Sequence, residues 1–131
     1  MKKEKVLKIL NELNEQTKNK KPMIHLGIED YGYLQYEHEI ECFSHSSSTK
    51  ENVVRVKELV EKLQKDLINT DKRFEHFIMI IEYNSQNEIM INEMEPIYDF
   101  CKLYDKEKKL CWGLNMNDCI DGIKITLIAS K

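Results

Sequence analysis

Leu110-Cys111-Trp112-Gly113-Leu114-Asn115-Met116-Asn117-Asp118-Cys119-Ile120-Asp121-Gly122-Ile123-Lys124-Ile125-Thr126-Leu127-Ile128-Ala129-Ser130-Lys131 closes the chain, and its reading decides the fold class. Leu110 to Leu114 is a short apolar run of strand length, and Asn115 to Gly122 has the Asn, Asp and Gly content of a loop. Beyond the loop, Ile123, Ile125 and Leu127 fall on alternate positions, so one face of a final strand belongs to a core. Two strands this close in sequence are expected to pair with each other.

Working upstream, Met94, Ile97, Cys101 and Tyr104 return at helical spacing behind an Asn92/Glu95 cap. Pro96 is tolerated there because it falls in the first turn. The helix is expected to end near Lys106. Phe77-Ile78-Met79-Ile80-Ile81 is unbroken apolar sequence, which predicts a central strand buried on both faces. A long helix precedes it, with Val53, Val56, Val60, Leu63 and Leu67 as its stripe and Leu59 widening it. Ser48 and Glu51 form a capping box at its start, and Asn69-Thr70-Asp71 ends it. Ser44 to Thr49 is read as a polar loop.

From Tyr33 to Phe43 the sequence alternates. Leu34, Tyr36, His38, Ile40 and Cys42 would share one face, and Gln35, Glu37, Glu39 and Glu41 the other, as in a half-buried strand near a sheet edge. Ile24, Leu26 and Ile28 predict another strand, with turn chemistry at Glu29 to Gly32. Val6, Leu7, Leu10 and Leu13 predict an amphipathic N-terminal helix that fades into the polar stretch Asn14 to Lys21. The fold class is therefore α+β: a two-layer sandwich of a mixed four- or five-stranded sheet with helices packed against it, in the order β-β-α-β-α-β-β. Residues 1–131 form one domain, with 1–21 as helix and linker and 22–131 as the core.

At 131 residues the chain can bury roughly two-thirds of its unfolded surface without disulfides or metal. Its 41% hydrophobic and 33% charged content is that of a globular protein, and no stretch approaches the ~20 apolar residues of a membrane span. The basic start Met1-Lys2-Lys3-Glu4-Lys5 leads into mixed sequence and not a signal-peptide core, so a cytoplasmic location is expected. Cys42, Cys101, Cys111 and Cys119 lack a C-x-x-C pair and are read as reduced, buried thiols. A formal charge of −3 gives no general attraction to nucleic acid or anionic membrane, and neither is an expected partner.

Candidate chemistry is sparse. His38, Cys42 and His45 are closely spaced but lack a fourth ligand, so packing is the reading and no metal is expected. His25 and His76 have no serine or cysteine in a motif that would make either one an activating base. Gly27, Gly32, Gly113 and Gly122 are too scattered to cradle a phosphate, so no nucleotide is expected. Tyr31, Tyr33 and Tyr36 alternate with acidic residues and are read as strand and turn positions. No catalytic residue and no cofactor is assigned. Two acidic sets are candidates for protein contact: Glu37, Glu39 and Glu41 on the predicted edge strand, and Asn117, Asp118 and Asp121 in the loop. A competing reading is a small-ligand-binding protein or minor enzyme with a pocket near His76, Glu82 and Asp118.

The closing segment, with Ile123-Lys124-Ile125-Thr126-Leu127-Ile128-Ala129-Ser130 as its last strand, resembles the end of the FtsZ/tubulin C-terminal domain. Upstream, the Ile78 to Tyr83 strand and Ile89-Met90-Ile91-Asn92-Glu93-Met94 are similar to that family's buried strand and helix entry. The resemblance runs from about Val53 to the end, and in element order from Met23. Asn84-Ser85 departs from the family's usual glycine pair, the loop before Asp121 is one residue short, and the glycine-rich nucleotide-binding half has no counterpart. The family's catalytic acidic loop would fall at Met1 to Val6, which offers only Glu4, so no catalytic residue is carried over. The resemblance implies a stand-alone, non-enzymatic FtsZ C-terminal-like domain. It would act by protein contact or self-association in assembly or regulation, with the edge of Tyr33 to Phe43 open to another strand.

Overall fold

The computed structural model describes residues 32–48, 53–70, 73–105 and 109–131, together with Glu4 and Lys8. The predicted N-terminal helix, the polar stretch to Lys21, the Ile24 to Ile28 strand, Glu51 and Lys106 lie outside these residues.

Phe77 to Ile81 does what an apolar run without alternation must do. It lies in strand β2 (His76–Tyr83), whose residues from Phe77 to Tyr83 are all buried. Burial on both faces requires a strand neighbour on each side and a layer above and below. The neighbours are β3 (Lys109–Met116), parallel to β2, and β4 (Ile123–Ser130), antiparallel to it. Strand β1 (Ile40–Ser47) pairs antiparallel with β4, giving a four-stranded mixed sheet in the order β1-β4-β2-β3.

Two helices cover one face. Helix α1 (Val53–Asn69) turns Val56, Leu59, Val60, Leu63 and Leu67 inward, and its end is closed by Thr70, whose hydroxyl donates to the Leu67 carbonyl at 2.9 Å. Helix α2 (Glu95–Asp105) is the crossover between the parallel strands β2 and β3, with Ile97 and Phe100 buried. These side chains meet Phe77, Met79, Ile81, Ile123, Ile125 and Leu127 in the main core. A smaller cluster on the opposite face joins Ile78, Ile80, Ile128 and Ile40 to Leu34. No helix among the described residues is long and apolar enough to cross a membrane.

Several expectations change. β3 and β4 follow each other in sequence but do not pair, because β2 lies between them. The 117–122 connection crosses the end of β2, roughly 10 Å at two strand spacings. It is tied there by the Asn117 N–H to the Tyr83 carbonyl (2.8 Å) and the Asn84 N–H to the Gly122 carbonyl (2.9 Å). The predicted Tyr33 to Phe43 strand divides. Gly32–Tyr36 is a 3-10 turn closed by the Glu37 N–H on the Leu34 carbonyl, and the strand begins only at Ile40. Leu34 is therefore fully buried while Tyr36 is 77% exposed, although strand alternation would put both on one face. Ser44 to Ser47, read as loop, extends β1, where Ser44 and Thr126 share a hydroxyl hydrogen bond at 3.2 Å. The loop after β3 is correspondingly shorter, since Asn115 and Met116 are still strand. The cap expected at Asn92 is instead a 3-10 turn, Ile91–Glu93, in which the Glu93 carboxylate accepts the Met90 N–H at 2.8 Å.

Glu93 has a second task. Arg55, on the core side of α1 and 2% exposed, donates from Nε to Glu93 Oε1 (2.7 Å) and from Nη2 to Oε2 (2.9 Å). The same Nη2 donates to the Glu88 carbonyl at 3.0 Å. One buried, bidentate pair thus fixes α1 to the connection leading into α2. Gly122 fixes the other end of the sheet: a Cβ there would collide with the backbone carbonyl of Ser47 and crowd Ser48 Cα at 3.1 Å.

Two stability outcomes follow. Glu93→Gln leaves Arg55 buried without its counter-charge and should destabilise by about 3 kcal/mol, whereas Arg55→Met with Glu93→Leu should recover most of that loss. Gly122→Ala has only backbone to push against and should lose about 1–3 kcal/mol. Urea unfolding midpoints measure all three variants.

Candidate functional site

The acidic residues singled out in the sequence do not share one strand face. Glu37 leaves the 3-10 turn toward the sheet, with Oε1 2.5 Å from His76 Nδ1, and accepts a hydrogen bond from Ser130 Oγ at 3.2 Å. Glu39 exchanges main-chain hydrogen bonds with Lys131, and its carboxylate lies 3.9 Å from Lys131 Nζ. Only Glu41 belongs to β1, opposite Ala129. The alternation in sequence looked like a solvated face, but the turn at Gly32–Tyr36 removes the common strand on which such a face depends.

In the loop after β3, Asn117 and Asp118 serve the fold. Asn117 donates from Nδ2 to Glu82 Oε2 at 2.6 Å and accepts the Cys119 N–H at Oδ1. Asp118 Oδ1 accepts the Ser85 N–H at 2.9 Å, and Asn84 Nδ2 donates to the Ile120 carbonyl at 2.7 Å. These bonds fasten the loop to the turn after β2. Asp121 is exposed and uses its carbonyl to accept from Asn87 Nδ2.

The competing pocket separates. His76 begins β2 and Glu82 stands six residues on, roughly 20 Å along an extended strand, with Asp118 at the Glu82 end. The three do not line one cavity. The suggested His38, Cys42 and His45 group separates as well, because Cys42 packs with the smaller cluster while His45, on the helix side, lies 2.5 Å from Asp66 of α1. Among the described residues no three His, Cys, Asp or Glu side chains are arranged to hold a metal ion. No disulfide joins the four cysteines, but Cys119 is exposed and the other three are half-buried, so they are less enclosed than the sequence implied.

At the His76 end, the Tyr33 and His76 rings pack tilted with centroids 5.1 Å apart. Burial, helped by the nearby Cys111 and Glu37 charges, holds the Tyr33 phenol above its ordinary value of 10, while its hydrogen bond with Ser130 offsets a part. The arrangement can hold a neutral phenol firmly.

A concave feature of the described structure lies elsewhere, between the two helices. Lys57, Val60, Glu61 and Gln64 of α1 face Pro96, Asp99, Phe100 and Leu103 of α2 across a groove of about 520 Å³, with Asn92 and Glu95 at one end. Val60 and Phe100 form a buried apolar floor, and Leu103 rises from it 64% exposed. Glu61, Glu95 and Asp99 make the rim predominantly acidic against the single Lys57. Sequence reading missed this groove. Its available signals were Phe100, which completes the buried face of α2, and Leu103, an apolar residue outside the stripe.

No protein-family model and no curated protein matches the chain. Solved structures do. An empty FtsZ dimer from M. jannaschii superposes with a TM-score of 0.64 at 14% identity, covering 86% of this chain and 33% of that one. A tryptophan-to-tyrosine FtsZ mutant from the same organism gives a TM-score of 0.64 at 13% identity, covering 86% and 34%. The fold is FtsZ-like, as the closing segment led one to expect, and the chain spans about a third of the FtsZ chains it matches.

A pH consequence belongs to Tyr33. Its folded value is raised, so the unfolded chain loses the phenolic proton from about pH 10 while the folded chain keeps it. The stability it contributes is whole below pH 10 and falls as pH rises above it. Urea midpoints measured at about pH 9 and about pH 11 should fall less in Tyr33→Phe than in the unaltered chain.

Proposed function

We propose that this chain is a non-catalytic protein-interaction module that docks a partner in the α1–α2 groove and serves an FtsZ-type or related cytoskeletal polymer. The observation that carries the reading is the groove: an apolar floor of Val60 and Phe100, an exposed Leu103, and an acidic rim of Glu61, Glu95 and Asp99. Two helices side by side offer the geometry that receives an amphipathic helix, whose apolar side chains at i, i+3 and i+7 enter the floor. The rim selects the charge of that helix. Three carboxylates against one lysine favour basic residues flanking the apolar anchors, and they speed encounter at low salt.

The link to a polymer comes from the fold likeness, and fold alone does not carry an activity. The groove carries the interaction, and the likeness suggests where to look for the partner. The described polar clusters mostly hold turns and loops, whereas the helix face carries exposed apolar area at Leu103.

Co-sedimentation with assembled FtsZ-type polymer tests both parts. The unaltered chain should pellet with polymer, less so as salt rises. Leu103→Asp should weaken binding about tenfold or more, since it places a charge in the apolar seat without touching the buried core. Glu95→Lys should shift the salt dependence. A chain that stays in the supernatant at low salt removes the polymer link, and equal binding by Leu103→Asp removes the groove.

A further inference from the structure

We propose that the α1–α2 groove is filled by the segment Met1 to Leu13 of a second copy of this chain, so that copies join segment to groove. This occupant presupposes that the groove seats an amphipathic helix, and it names the helix.

The groove is two helical turns long. Lys57, Val60, Glu61 and Gln64 on α1, and Pro96, Asp99, Phe100 and Leu103 on α2, each follow the i, i+3, i+4, i+7 pattern of one helix face, roughly 10 Å along the axis. A ligand for it needs apolar side chains over the same length and basic groups to meet Glu61, Glu95 and Asp99.

Met1 to Leu13 carries both. Val6, Leu10 and Leu13 stand at i, i+4 and i+7 with Leu7 beside them, and the segment holds Lys2, Lys3, Lys5 and Lys8 against Glu4 and Glu12. At 3.6 residues per turn Lys2 and Lys3 fall in line with the apolar stripe, one turn before it, whereas Lys8 falls on the opposite side. Of this segment Glu4 and Lys8 are described. Both are helical and both are exposed, which makes their side the wet one.

Within one chain the groove stays open, with Leu103 64% exposed. A second copy can cover it. Leu10 would lie over the floor of Val60 and Phe100, Leu13 against Leu103, and Lys2 and Lys3 at the Glu95 end. Segment and groove are different surfaces, so the contact is heterologous: a copy that gives its segment keeps its own groove free for another. A polymer helix would have to displace the segment, and access to the groove would then fall as the chain's own concentration rises.

Light scattering across a concentration series at low salt, with two variants mixed, tests the occupant. The unaltered chain should exceed the 15.6 kDa of one copy as concentration rises, and less so in high salt. Leu103→Asp spoils the groove and Lys2→Glu with Lys3→Glu spoils the segment. Each variant, folded by circular dichroism, should associate at least tenfold more weakly than the unaltered chain. An equimolar mixture of the two should form a capped species of twice the single-copy mass, because one supplies an intact segment and the other an intact groove. Lys8→Glu, on the wet side, should change the midpoint less than twofold. A single-copy mass for the unaltered chain at every concentration overturns the proposal, as does a mixture that fails to pair or an equal loss with Lys8→Glu. Co-sedimentation with FtsZ-type polymer keeps the two readings apart: if the mixture fails to pair while Leu103→Asp still reduces pelleting, the occupant is overturned and the groove is retained.

Discussion

The rest of this structure depends on β2 being buried on both faces. Phe77, Met79, Ile81 and Tyr83 point to the helix side, and Ile78 and Ile80 to the other. A strand with no wet face must be interior, must have partners along both edges, and must be covered twice. β4 takes one edge and β3 the other, so β3 and β4 are held apart although they are sequence neighbours. Phe77-Ile78-Met79-Ile80-Ile81 thus sets the strand order, and the order determines where the edges fall: β1 and β3 end the described sheet.

Covering β2 brings its own cost. The connection from β2 to α2 turns beneath α1, and its carbonyls at Asn87 and Glu88 need donors there. Arg55 supplies them while pairing with Glu93. Arginine suits the position because a planar guanidinium can meet a carboxylate with two parallel bonds and still reach a carbonyl, which an ammonium cannot do. The result is a helix layer whose spacing is set by polar chemistry as well as by apolar packing. The groove is the outer consequence of that spacing.

The regular elements were legible in the sequence wherever periodicity was strong. The α1 stripe from Val56 to Leu67, the apolar run of β2 and the alternation in Ile123, Ile125 and Leu127 each correspond to the observed element. The FtsZ-like fold was legible from the closing segment for the same reason, since its core and turn positions are the ones a fold constrains. Two kinds of feature were not. Alternation from Leu34 to Cys42 also fits a 3-10 turn followed by a strand, and only the packing of Leu34 against Ile78 and Ile128 decides between them. Arg55 looked like a surface charge beside the stripe, because its partner Glu93 is 38 residues away. In a chain with eighteen lysines and two arginines, an arginine flanked by valines was the one available signal. The groove depends on which elements become neighbours, which periodicity does not specify.

The polar groups of this domain divide by location, and the division bears on what it can do. At the two ends of β2, clusters built on Glu37 and Ser130 and on Glu82, Asn117 and Asp118 hold turns and loops, with these side chains bonded to one another or to main chain. A network committed to holding turns changes its bonding only by releasing them. Recognition needs the opposite: surfaces whose bonding is incomplete until something arrives. Among the described residues the acidic-rimmed groove has apolar area without a cover, with Leu103 64% exposed. The groove would gain by burying Leu103. That contrast between polar clusters spent on turns and apolar area left open is the physical basis on which docking in the groove is proposed.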